Sequence, residues 1–257
     1  MRYLAKKPNK FGVIDFTREE NETWKILFER QMQTILHRAC DEYHDCLKKL
    51  NLPSDKIPQC PEVSEILKSH TGWSVVPVDA IIPIGVFFRL LSQRQFPAAS
   101  FIRVREELDY LQEPDIFHEI FGHCPFLTWQ PYADFMQRFG EIALGANEKI
   151  QSILGRLFWF TIEFGLIQTQ NGLRVYGAGI LSSHAETQYS IESTEPKRLS
   201  FNPVEALKTE YRYDVIQKLY FTINGFSELF AIDLNEMLKI ASHIADNPFH
   251  EKDFMTC

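Results

Sequence analysis

The sequence predicts a mainly α chain, of the α+β kind with a small sheet. Apolar residues recur at three- and four-residue intervals through most of its length, while runs of β-branched residues are few and short. Internal repeats, low-complexity tracts and a Pro/Gly/Ser-rich linker are all missing, so residues 1–257 are expected to form a single domain.

Residues 1–16 read as an irregular arm. Thr17 and Glu20 then stand at capping-box spacing, which satisfies free amide hydrogens at a helix start. A long helix to residue 50 is expected behind them. Its stripe is Trp24, Phe28, Met32, Ile35, Ala39, Tyr43, Cys46 and Leu50, and it ends at Asn51 and Pro53. Pro58 and Pro61 mark a loop, 63–69 a short helix, 73–78 a short strand and 84–93 another helix. Beyond Pro114 the pattern predicts helices at 114–122, 131–143, 147–168 and 203–220, with a strand at 173–176.

Hydrophobic residues make up 45% of the chain and aromatics 13%, which excludes a disordered protein. The net charge of -7 argues against a phosphate-binding surface, so small molecules are expected as partners and nucleic acid is not. Five cysteines (Cys40, Cys46, Cys60, Cys124, Cys257) contain no CxxC pair, and the N-terminus lacks the apolar core of a signal peptide. A reduced, cytoplasmic protein is expected. The longest apolar stretches are broken by Pro83 and Gly85 or by Glu163 and Gly165, too short for a membrane span.

The chemistry starts from PDIFHEIFGHCPF, residues 114–126, where His118 and His123 stand five apart. Each residue of an α-helix turns about 100°, so this interval places the two rings roughly 140° apart, on different faces. It also departs from the HExxH zinc motif. Gly122 offers a way out: a left-handed glycine can end the helix and swing His123 back toward His118, with Pro125 preventing resumption. In RLFWFTIEFGLI, Glu163 stands in apolar surroundings, where a carboxylate faces solvent, is neutralised by a partner such as Arg156, or binds a cation. Two histidines and a carboxylate suit a non-haem Fe(II) centre; the runner-up is a zinc hydrolase with Glu119 as general base, since the same set can also hold catalytic zinc. A third possibility is a helical binding protein whose metal sits on His37, Asp41 and His44, spaced along one helix face.

EPDIFHEIFGH, FWFTIEFGL and YGAGILSS, in this order and at these separations, are similar to the catalytic domain of the pterin-dependent aromatic amino acid hydroxylases, most closely the compact bacterial phenylalanine 4-hydroxylases. The resemblance covers about residues 57–207. It implies a monooxygenase that uses Fe(II), O2 and a tetrahydropterin (tetrahydrobiopterin or a bacterial analogue) to hydroxylate L-phenylalanine at ring C4, giving L-tyrosine. It implies His118, His123 and Glu163 as iron ligands, and Phe87 and Glu119 at the pterin. Arg103 is implied for the substrate carboxylate, with Pro114 and Asp115 shaping the substrate side. Trp159, Phe164 and Gly179 are implied for the aromatic pocket, and Ser182 as a hydroxyl supporting an iron-bound histidine. Phe158 replaces the tyrosine of many relatives, and His184 is expected to be structural. The arm is too short for the regulatory domain of animal relatives and no C-terminal heptad pattern resembles their tetramerisation helix, so a monomer or homodimer is expected.

Overall fold

The box at Thr17 forms: its hydroxyl accepts the Glu20 N–H at 3.2 Å, and the Glu20 carboxylate accepts the Thr17 N–H at 2.5 Å. The helix it starts, α1, covers Arg18–Ile35 in the computed structural model, which describes residues 5–109 and 113–247. Cys257 and the first four residues of the arm lie outside that range.

The single helix expected to residue 50 is two. The Cys40 N–H donates to the Val175 carbonyl and the Val175 N–H to the Arg38 carbonyl, so the chain here pairs with a distant strand instead of with its own preceding turn. His37 takes a left-handed φ of 66°, and α2 (Asp41–Leu50) begins afresh. The stripe shifts accordingly: α1 buries Trp24, Leu27, Gln31, Thr34 and Ile35, while Met32 is 38% exposed. His37, outside any helix, no longer shares a face with Asp41 and His44.

Next come α3 (Cys60–Thr71) and β1 (Ser74–Val78). Then α4 (Ile84–Ser92) leads to β2 (Gln95–Ala99), a strand the periodicity does not reveal, which lies parallel to β1 and completes a small β-α-β unit. Helix α5 (Gln130–Leu144) packs onto α4 at Gly140, where a Cβ would stand 2.5 Å from the Ser92 backbone nitrogen.

The helix expected at 147–168 is shorter. Its regular part, α6 (Glu148–Phe158), runs into a widened turn at Trp159–Glu163, and the chain then enters β3 (Leu166–Thr169) and β4 (Gly172–Val175). After α7 (Ala178–Leu181), α8 (His184–Glu192) and β5 (Lys197–Ser200), the helix expected at 203–220 is reduced to α9 (Pro203–Lys208). Leu219 and Tyr220 belong to β6 (Leu219–Ile223), where sheet pairing overrides the local helical pattern. Helices α10 (Phe226–Phe230) and α11 (Leu234–Asp246) follow.

The second sheet runs β4-β3-β6-β5, antiparallel at β3/β4 and parallel elsewhere. One buried cluster joins helices and both sheets, with Trp24, Tyr43, Trp73, Phe117, Phe121, Tyr132 and Tyr176 among its largest members. No described helix is long and apolar enough to cross a membrane. Cys40, Cys46, Cys60 and Cys124 are buried and unbridged.

Candidate metal centre

His118 and His123 share a helix that widens instead of stopping. Asp115 caps it, its Oδ1 accepting the His118 N–H at 3.0 Å. Residues His118–His123 then form a π-helix, in which the Cys124 N–H reaches back five residues to the Glu119 carbonyl at 3.3 Å. A π turn holds one residue more than an α turn, so side chains five apart come to one side. The left-handed stop expected at Gly122 is therefore a misreading: the described glycines with positive φ are Gly12, Gly72 and Gly172. Gly122 matters for its smallness, since a Cβ there would lie 2.8 Å from the Ala178 carbonyl oxygen of α7. Tyr43 supports the widened turn from α2 by donating its hydroxyl to the Phe121 carbonyl at 2.5 Å.

Glu163 ends a second π-helix, Trp159–Glu163, marked by the Phe164 N–H donating to the Trp159 carbonyl at 2.8 Å. The two wide turns meet. His118 Nε2 lies 3.2 Å from His123 Nε2, and the Glu163 carboxylate stands 3.0 Å from His123 Nε2 and 3.6 Å from His118 Nε2. One ligand atom from each of the three falls within 4.8 Å of the others, the one such group among the described residues. Glu163 is not partnered by Arg156, which reaches Glu210 instead. His37, Asp41 and His44 form no such group.

A hydrogen bond prepares His118 for a cation. Ser182 Oγ donates to the Ala178 carbonyl at 2.9 Å and lies 2.9 Å from His118 Nδ1. With its one proton on the carbonyl, the hydroxyl accepts from Nδ1–H, which leaves the Nε2 lone pair aimed at His123 and Glu163. Burial pushes the His118 imidazolium down to about 4, so the ring is the neutral form a metal requires. Burial also disfavours charge on Glu163, yet the two imidazoles outweigh it and hold the carboxyl below its usual range. Two imidazole nitrogens and a carboxylate oxygen thus converge on one point. That donor set fits Fe(II), with positions left over for other ligands.

His118 and Glu163 open onto a cavity of about 640 Å³, whose walls also include Arg103, Pro114, Trp159, Phe164, Gly179 and Ser182. Arg103 is a buried cation, not a surface charge. Its Nε and Nη2 donate to Asp115 at 2.8 and 3.0 Å, and its guanidinium lies over the Phe117 ring at 5.8 Å. Asp115, at 0% exposure, accepts in addition the backbone N–H groups of Arg103 and His118. Burial opposes that charge, and Arg103 with the two amides outweighs it, holding the carboxyl low.

A family model described as biopterin-dependent aromatic amino acid hydroxylase matches residues 2–251. The chain belongs to this family. Among its relatives, a phenylalanine-4-hydroxylase of Pseudomonas aeruginosa is 47% identical over 93% of this chain and 91% of its own, and one of Vibrio cholerae 44% identical over 93% and 83%. The fold is that of the cold-active phenylalanine hydroxylase of Colwellia psychrerythraea 34H, with a TM-score of 0.91, 47% identity and 97% of each chain covered. It is also that of the Chromobacterium violaceum phenylalanine hydroxylase with bound oxidised Fe(III), with a TM-score of 0.88, 38% identity and 94% and 88% covered.

In this hydroxylase Phe87 and Glu119 stand apart from the residues that line the cavity. Phe87 packs edge-on against Phe88, Phe96 and Phe158, and Phe96 in turn lies 4.7 Å from the His123 ring. Burial, with Glu163 and Asp115 nearby, pushes the Glu119 carboxyl well up. Phe158 fills its place as a buried ring against Phe87 and Phe139. His184 is bonded through Nδ1 to Thr34 at 2.6 Å, a structural partner as expected. Sequence reasoning missed the far wall of the cavity: Tyr211, Tyr213, Val215, Ile216, Gln217 and Glu186. The expected helix at 203–220 hid it. The stretch YRYDVI, with no apolar stripe at helical spacing, is the signal that could have found it.

Proposed function

We propose that this hydroxylase converts L-phenylalanine to L-tyrosine by placing one atom of O2 on ring C4. The observation that carries the reading is a His118–His123–Glu163 centre opening onto a cavity that holds one buried arginine and a pair of aromatic walls. Bound at this site, Fe(II) and a tetrahydropterin (tetrahydrobiopterin or a bacterial analogue) supply oxygen activation and two electrons, the second oxygen atom leaving as water.

The chain's own residues bind, orient and exclude water. The Arg103 guanidinium, held in plane by Asp115, takes the amino acid carboxylate and so sets how far the ring reaches toward the iron. Trp159 and Phe164, with ring centroids 4.5 Å apart, wall the ring in. Gly179 keeps that slot open, since a Cβ there would lie 2.9 Å from the Phe164 ring. Ser182 holds His118 in the tautomer that ligates, and Phe87 and Glu119 serve the pterin. Residues 1–257 are read as one catalytic domain, in the cytoplasm, as a monomer or homodimer; sedimentation tests the last point.

The deciding experiment is an anaerobic preparation with Fe(II), followed by tetrahydropterin, air and each of the three aromatic amino acids. Tyrosine formed from phenylalanine is the expected product. Hydrolytic activity with zinc, and none with iron and pterin, would overturn the assignment.

A further inference from the structure

The far wall of the cavity is fastened by a carboxylate that the reaction does not use. Glu186 lies in the first turn of α8, at 7% exposure. Its Oε1 accepts the Gln217 backbone N–H at 3.0 Å and the hydroxyl of Tyr220, a fully buried residue of β6. Gln217 is itself buried and uses its whole amide. Nε2 donates to the carbonyls of Arg212 at 2.7 Å and Val215 at 3.0 Å, fixing the shape of the preceding turn, and Oε1 accepts the Trp159 indole N–H at 3.2 Å.

This places a strap, residues 211–217, across the mouth of the slot. Tyr211 stacks on Trp159 with centroids 4.1 Å apart and planes 12° off parallel. Tyr213 is 69% exposed, and with Val215 and Ile216 it turns apolar surface toward the cavity and solvent. Such a row of exposed apolar side chains is unfavourable unless something apolar covers it, and the aromatic ring of a substrate has that chemistry. The strap has two points of attachment to the fold near its C-terminal end, Glu186 and Trp159, and both act through Gln217.

We propose that Glu186 is a positioning residue for the aromatic substrate: by anchoring Gln217 it sets where the strap and the Trp159 indole stand, and hence the width of the ring slot. The proposal rests on the reading of the cavity as the phenylalanine site. Glu186 bonds Gln217 and Tyr220 and none of His118, His123 and Glu163, so its effect belongs to substrate binding and not to turnover.

The test compares Glu186→Leu, which removes the acceptor, with Glu186→Gln, whose amide oxygen still accepts both donors. Glu186→Leu is expected to raise KM for phenylalanine about tenfold, the factor lost with one positioning hydrogen bond, with kcat changed less than about twofold. Iron content and KM for the pterin stay as in the parent, and Glu186→Gln restores KM for phenylalanine. Gln217→Leu keeps the backbone N–H that Glu186 accepts but loses the side-chain bonds to Trp159, Arg212 and Val215, and it is expected to raise KM as well, because the anchor reaches the indole only through that side chain. Should Glu186→Leu not fold, Gln217→Leu, which leaves both Glu186 bonds intact, tests the link from the anchored residue to Trp159 by the same KM readout. Trp159 is the tryptophan of the cavity wall, so the fluorescence change on adding phenylalanine to the iron-free protein gives binding without turnover, and it should weaken in parallel. An unchanged KM in both leucine variants would overturn the proposal. So would a Glu186→Gln variant as impaired as Glu186→Leu. Failure of the parent to form tyrosine would instead overturn the functional reading.

Discussion

At the scale of single residues, the centre separates groups that hold iron from groups that hold those groups. His118→Ala or Glu163→Ala removes one of three ligands, and metal content by atomic absorption is expected to fall close to zero along with turnover. Ser182→Ala has a subtler outcome. Without an acceptor for Nδ1–H, the His118 ring loses its preferred tautomer and orientation, and iron affinity should drop by a factor of about 10 to 100 while the fold melts normally. Arg103→Lys keeps a positive charge but cannot give Asp115 two parallel donors, as the 2.8 and 3.0 Å pair does now. KM for phenylalanine should rise, with iron binding intact. The iron ligands were legible in the sequence as residue types at particular intervals. The reason the interval of five works was not, because a π turn has no composition of its own.

At the scale of elements, both ligand-bearing segments are places where a helix takes in one extra residue. This local irregularity depends on neighbours distant in sequence: Tyr43 from α2 for the first turn, and the α7 backbone for its packing. Gly122→Ala puts a methyl 2.8 Å from the Ala178 carbonyl oxygen, a contact that real side chains do not make. The two elements must separate, at a cost of about 1–3 kcal/mol in denaturant melts and with looser iron binding, since α7 leads directly to Ser182. Helix existence was readable from periodicity wherever one face meets the core, as for α3, α4 and α5. Boundaries failed where strand pairing intervened. The break after Ile35 answers to Val175, and the end of α9 answers to the sheet that takes β6, neither of which local pattern can register.

At the scale of the whole molecule, two buried carboxyls give stability opposite dependences on pH. Asp115 is held below its ordinary value of 3.8 by Arg103, so what it contributes is present above that value and is lost as pH falls through the lower, folded one. Glu186 is pushed by burial up to about 7 from 4.5, so the folded state is progressively penalised as pH rises across that window. Unfolding free energies of the metal-free protein from denaturant melts should therefore decline between about pH 5 and 7, by an amount on the order of 2 kcal/mol from Glu186, with the buried Glu119 adding in the same direction, and Glu186→Gln should make that slope shallower. A parent without the decline would contradict the burial of Glu186.

The sulfur atoms have a consequence for the lifetime of the catalyst. Cys124 follows an iron ligand directly in sequence, and burial together with the nearby Glu119 keeps its thiol protonated far above neutral pH, as burial does for Cys40 and Cys60. Peroxide leaking from an uncoupled cycle attacks thiolates first, and here it meets none of them among the described residues. Peroxide damage should then fall on the exposed thioether of Met32, which is oxidised to the sulfoxide, before it reaches those thiols, and mass spectrometry after prolonged uncoupled turnover should find the four thiols unaltered.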